Sequence, residues 1–114
     1  MSTKGIEGIF LTTHNWGKSA KFFQSLGYKL DLETDHNSGQ LSNGIGPYLF
    51  IAEIPASEKT GTQMVLRIDD ADTFQVPSNV EVVTPFEETH WGTRGMEVRD
   101  PDGRIWRIEA PSKG

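Results

Sequence analysis

WGTRGMEVRDPDGRIWRIEAP, Trp91 to Pro111, is the stretch whose reading decides the fold. At its centre, Asp100-Pro101-Asp102-Gly103 has the chemistry of a tight turn: proline presets φ and glycine supplies a positive φ. The flanking residues Gly95 to Arg99 and Arg104 to Glu109 read as two strands joined by that turn.

Upstream of this hairpin, Val80 to Val83 reads as a strand that Thr84-Pro85 ends or bends. Asp69 to Phe74 has room for barely one helical turn before Pro77 and Asn79 interrupt, and Gln63 to Ile68 reads as a strand. Residues 55–61 form the best linker. In the first half, Ile6 to Thr13 alternates and is β-rich, and His14-Asn15-Trp16-Gly17 breaks it. Lys18 to Leu26 is helical, with Ala20 and Phe23 at helical spacing, Asn15 as N-cap and Gly27 at the C′ position. Tyr28 to Glu33 alternates as a strand. A polar turn at Asp35 to Gly39 leads to a short strand near Gln40 to Ser42. After a glycine-rich turn, Tyr48 to Ala52 is apolar on both faces. The order is strand, helix, three strands, linker, strand, stub, three strands. This is a degenerate repeat with its second helix reduced, and it predicts an α+β domain with antiparallel sheet.

The totals set bounds. A chain of 114 residues makes one domain, divided here into module one (about 1–54), the linker and module two (about 62–114). A hydrophobic fraction of 35% is low for a private core and favours a homo-oligomer. The formal net charge of -5 argues against nucleic acid. With no cysteine there is no disulfide, thiolate-zinc site or cysteine nucleophile. The N-terminus has no signal-peptide pattern, and no apolar run approaches the ~20 residues of a membrane span. A soluble, cytoplasmic protein is the expectation.

Trp91 to Pro111 resembles the C-terminal signature of the vicinal oxygen chelate superfamily, the glyoxalase and bleomycin-resistance proteins. KSAKFFQSLGYKL, Lys18 to Leu30, is similar to the first helix and second strand of those proteins, and Asp69-Asp70-Ala71 sits where they leave the fifth strand. The resemblance implies two βαβββ-like modules with curled, mixed or antiparallel sheets around a cleft. It also implies a homodimer. It says little about activity, because the superfamily includes lyases, dioxygenases, transferases and non-enzymatic drug binders.

Carried over residue by residue, the metal positions of the family's enzymes fall on Gly8, near Ile51, on Gln63 and on Arg107. Glycine has no side chain, isoleucine is apolar and arginine is a fixed cation. Gln63 alone is a weak metal candidate, so no metal and no cofactor are expected. Glu7, Glu53 and Glu109 lie close in sequence, but a one-residue slip turns a strand side chain to the other face. The same alternation puts Glu109 on the face of Arg107, where the two can pair. His14, His36 and His90 are loop-like and share no ligand spacing.

Without a metal, a cleft would bind through aromatic surface and a few charges. The candidate ligand-binding residues are Trp16, Tyr48, Phe50, His90, Trp91, Arg94, Arg99 and Arg107. Trp16 and Trp91 sit beside glycines in loop-like segments, which leaves cleft, dimer contact and core open. Tyr48 and Phe50 share one face of their strand, and the pattern does not say which face is the cleft. Trp106 alternates with Arg107 and reads as core. Arg107 is the most informative charge, either meeting a ligand anion or pairing with Glu97 or Glu109. Glu97 is a candidate base that nothing in the sequence singles out. These features favour a metal-independent binder of an aromatic or anionic small molecule. The alternatives are a divalent-metal lyase, transferase or dioxygenase-like enzyme with a non-standard site, or a dimeric structural or regulatory module.

Overall fold

The computed structural model describes residues 3–89 and 92–112. Its elements are β1 (Ile6–Thr13), α1 (Trp16–Ser25), β2 (Lys29–Glu33), β3 (Ser38–Ser42), β4 (Tyr48–Glu53), β5 (Thr62–Arg67), β6 (Glu81–Glu88), β7 (Thr93–Arg99) and β8 (Ile105–Pro111). The class is α+β. The chain divides into two compact units, Gly8–Thr62 and Met1–Glu7 with Gln63–Gly114. These bounds differ from those expected. The first residues join the C-terminal unit because Lys4 N donates to Arg67 O at 2.7 Å and Arg67 N to Gly5 O at 3.1 Å. The expected linker joins the N-terminal unit, where Thr12 N donates to Gly61 O at 3.1 Å.

In the N-terminal unit the strand order is β2-β3-β4-β1. β1 runs parallel to β4, while β2–β3 and β3–β4 are antiparallel. Asn15 caps α1 with extended backbone, its side chain accepting from Lys18 N at 3.0 Å. Gly27, at φ +101, carries the chain out of the helix. The helix starts two residues earlier than expected, which turns Trp16 from a loop residue into its first residue. Trp16 and Ala20 pack on Leu41, Leu49 and Ile51 to form the core.

The C-terminal unit repeats the pattern with the order β5-β8-β7-β6. β5 is parallel to β8, and β8–β7 and β7–β6 are antiparallel. In place of a second helix there is one turn, closed by Phe74 N donating to Asp70 O at 3.2 Å. Ala71 from this turn joins Ile68, Met96, Val98, Ile108 and Ala110 in the core, with Trp106 packed against it. Of the two outcomes expected at Thr84-Pro85, an end or a bend, the strand does not end: β6 runs on to Glu88. It is the edge strand of this unit, and its register shifts between Val82 and Thr84 and between Thr84 and Glu87. Proline, with no N–H to give a ladder, is tolerated at such an edge and irregularity.

The Asp100 turn is organised by one carboxylate. Asp100 accepts from the Trp106 indole at 3.0 Å and from the backbone N–H of Asp102 and Arg104, each at 2.9 Å. These bonds, the Trp106 one foremost, lower its pKa from 3.8 to about 2. A lowered folded-state pKa stabilises the fold at pH values above the unfolded one. That stability is expected to be present above pH 3.8 and lost as pH falls through about 2. Acid titration followed by circular dichroism should show a shallower loss over this window for Asp100→Asn. Equal slopes would remove Asp100 as the cause.

Candidate functional site

Strand alternation gives the sheet of the N-terminal unit two unlike faces. Ile9, Leu11, Leu41, Leu49 and Ile51 point to α1. Phe10, Tyr48, Phe50, Gln40 and Ser42 therefore lie on the helix-free face, which settles the side of Tyr48 and Phe50. Phe10 and Phe50 are register partners, and their rings stack at 5.7 Å between centroids and 8° between planes. Tyr48 is the register partner of Gly8, and its ring covers the space where a Cβ on Gly8 would stand. At the border of this aromatic bed, Asp31 accepts from Ser42 Oγ at 3.0 Å and Gln40 Nε2 at 3.5 Å. The register shift between Leu30 and Leu32 places it there.

The corresponding face of the C-terminal unit is polar. Arg107 Nε pairs with Glu109 Oε2 at 3.0 Å, and Glu109 is only 5% exposed. The guanidinium lies over Gly95, where any side chain would meet it. Beside this pair, Glu97 accepts from Gln63 Nε2 at 3.0 Å and from Thr84 Oγ1 at 3.1 Å. A cavity of about 210 Å³ opens onto Glu97, Arg107, Thr84 and Glu87. In the N-terminal unit a second cavity of about 210 Å³ lies by α1, floored by Leu11, Phe23 and Ile51 and rimmed by threonines. Both fall short of the roughly 300–1,000 Å³ of drug-sized ligand pockets. Burial raises the pKa of Glu7, partly offset by Arg67, with Glu109 adding a like charge.

The residues at the positions where the resemblance would put metal ligands do not fit a metal. Tyr48 covers Gly8, Ile51 is 1% exposed in the core, Gln63 donates its amide to Glu97, and Arg107 is tied to Glu109. The neighbouring carboxylates do other work. Glu53 accepts from Trp16 N at 2.9 Å and Asn37 Nδ2 at 3.3 Å, and Glu7 pairs with Arg67 at 3.6 Å. Among the described residues no group of three or more His, Cys, Asp or Glu could hold a metal ion.

Several expected ligand-binding residues lie elsewhere. Trp16 is 6% exposed in the core, and its indole donates to Glu33 Oε2 at 2.6 Å. Arg94 is turned to the core side of β7, stacked 5.8 Å from the Phe86 ring centroid and bonded to Asp72 at 2.7 Å. Alternation within β7 separates it from the Arg107 face. Arg99 sits at the far end of β7, paired with Glu81 at 2.9 Å. His90 and Trp91 lie outside the described residues. His14 bonds the Glu58 carbonyl at 2.7 Å and His36 pairs with Asp35 at 3.1 Å, so neither joins a site. Phe10 and Asp31 were not anticipated. Phe10 stands between Ile9 and Leu11, so polarity does not mark its face at that point of the strand, and Asp31 reaches the bed only through the bulge.

No protein-family model and no curated protein matches the chain. Solved structures do. A glyoxalase/bleomycin resistance protein/dioxygenase superfamily member from Vibrio splendidus 12B01 aligns with TM-score 0.70 at 17% identity, covering 96% of this chain and 99% of that one. A structure described as an NAD-dependent benzaldehyde dehydrogenase from Legionella pneumophila aligns with TM-score 0.67 at 14% identity, covering 91% and 97%. The Mn(II)-bound glyoxalase from Novosphingobium aromaticivorans gives TM-score 0.64 at 13% identity, covering 98% of this chain and 40% of that chain. At these identities the likeness is one of fold. With the repeated strand order and the helix-free faces, it shows that this chain has the glyoxalase/bleomycin-resistance fold of the vicinal oxygen chelate type.

Proposed function

We propose that this protein is a cytoplasmic, metal-independent binder of a small planar aromatic molecule, acting as a homodimer. The observation that carries the reading is the bed of Phe10, Phe50 and Tyr48 on the helix-free face of the N-terminal unit. Flat rings stack on such surfaces, contributing about 0.5–1.5 kcal/mol beyond the area they bury. Asp31, Gln40 and Ser42 at its border supply polar contacts that fix orientation. The anionic half of the sequence-based expectation is weaker, because Arg107 meets Glu109.

The dimer is favoured by size and surface. Neither cavity within a unit reaches drug size, and a second copy could close the shallow bed. Phe22 on α1 and Leu26 at its C-cap, 59% and 64% exposed, offer a copy a different contact, on the face opposite the bed.

Calorimetric titration with a panel of planar aromatic compounds tests the reading. Binding is expected for some members, and Phe50→Ala should weaken it about tenfold, or ~1.4 kcal/mol. Elemental analysis after soaking in nickel, zinc and manganese should find no stoichiometric metal. A panel without a binder, together with a dimer that buries the bed, would favour the structural module instead. One metal per chain would return the enzyme reading.

A further inference from the structure

The turn between β3 and β4 is Asn43-Gly44-Ile45-Gly46. Asn43 is exposed, and its Oδ1 accepts from Ile45 N at 3.1 Å and Gly46 N at 2.9 Å. Gly44 has φ +85, open space where a Cβ would stand, and no hydrogen bond to its own N–H. A side-chain amide next to an unhindered backbone nitrogen can cyclise. Charge then develops on the amide oxygen, where two backbone donors are already aimed, and donors so placed lower a barrier to acyl transfer.

We propose that Asn43 is a self-modifying site that deamidates through its own turn. The Gly44 nitrogen gives its proton to water and bonds to Cγ of Asn43. Oδ1 carries the negative charge while Ile45 N and Gly46 N hold it. The Cγ–Nδ2 bond then breaks, and Nδ2 leaves as ammonia after taking a proton from solvent. Water opens the resulting succinimide at either carbonyl, giving aspartate or isoaspartate. Both products place a new negative charge in the turn that leads into Tyr48 of the aromatic bed.

The other asparagines are internal controls, because the residue after each is bonded through its N–H or buried. Trp16 N, after Asn15, donates to Glu53 Oε1 at 2.9 Å. Ser38, after Asn37, is buried, and Asn37 Nδ2 donates to Glu53 Oε2. Val80 N, after Asn79, donates to Pro77 O at 3.0 Å.

The test is timed incubation of the intact protein near neutral pH, natively and in urea, followed by peptide mass mapping that separates aspartate from isoaspartate. Asn43 is expected to convert at least about tenfold faster than Asn15, Asn37 or Asn79 in the native protein. It should also convert faster natively than in urea, where the two donors are lost. A native rate equal to or below the urea rate, or an equal rate at another asparagine, overturns the assignment.

Discussion

Trp16→Ala is expected to destabilise the protein by about 3–5 kcal/mol, the usual loss for truncating a large core aromatic. Trp16 is 6% exposed and packs with Leu41, Leu49 and Ile51. A Cβ on Gly39 would stand 2.7 Å from its ring, so β3 passes directly over the indole. Alanine would leave a void bounded by strand backbone, which cannot collapse to fill it. Trp16→Phe keeps most of the apolar contact and gives up the indole bond to Glu33. Glu33 is exposed and regains water, so this variant should cost only about 1–1.5 kcal/mol. Urea denaturation of both variants measures the difference. A Trp16→Ala loss under about 1 kcal/mol would mean that the residue lines a surface, and the cleft role would stand again.

Arg107→Met carries the second large effect, about 2–3 kcal/mol of lost stability. Truncating one member of a buried ion pair strands the other charge, at about 3–5 kcal/mol when both are fully buried. Glu109 is nearly so, with 7% side-chain exposure, but Arg107 retains 21% and the figure is reduced accordingly. Thr93 Oγ1, at 3.4 Å from Glu109, is a weak substitute donor. Adding Glu109→Leu to Arg107→Met should recover most of the loss, since an apolar pair strands no charge. A double-mutant cycle in urea reads the coupling. Additive single losses would mean that the two side chains do not depend on each other.

Much of the architecture was legible because local chemistry and global fold agree at particular residues. Asn15 and Gly27 bracket α1, Asp100 to Gly103 makes the last hairpin, and the succession of elements repeats in both units. The errors have physical causes. Trp16 beside Gly17 looks like a loop, yet the cap at Asn15 makes it the first helical residue. Pro85 reads as an end or a bend, and the strand continues past it because β6 is an edge strand. Arg94 reads as part of the Trp-Gly loop and a partner for Arg107, but it lies in β7, where alternation turns it to the face away from Arg107. The bed was half legible: Tyr48 and Phe50 share a face by period, but which face it is depends on where α1 packs.

The covering of Gly8 by Tyr48 constrains how this fold could change its chemistry. A histidine or glutamate at position 8 cannot enter while the ring lies there, so the Tyr48 side chain must either swing aside or be shortened. Either change takes the ring out of its present place in the aromatic bed. A route from this chain to a metalloenzyme therefore trades the ring for the ligand, and urea denaturation should find Gly8→His costlier alone than beside Tyr48→Ala.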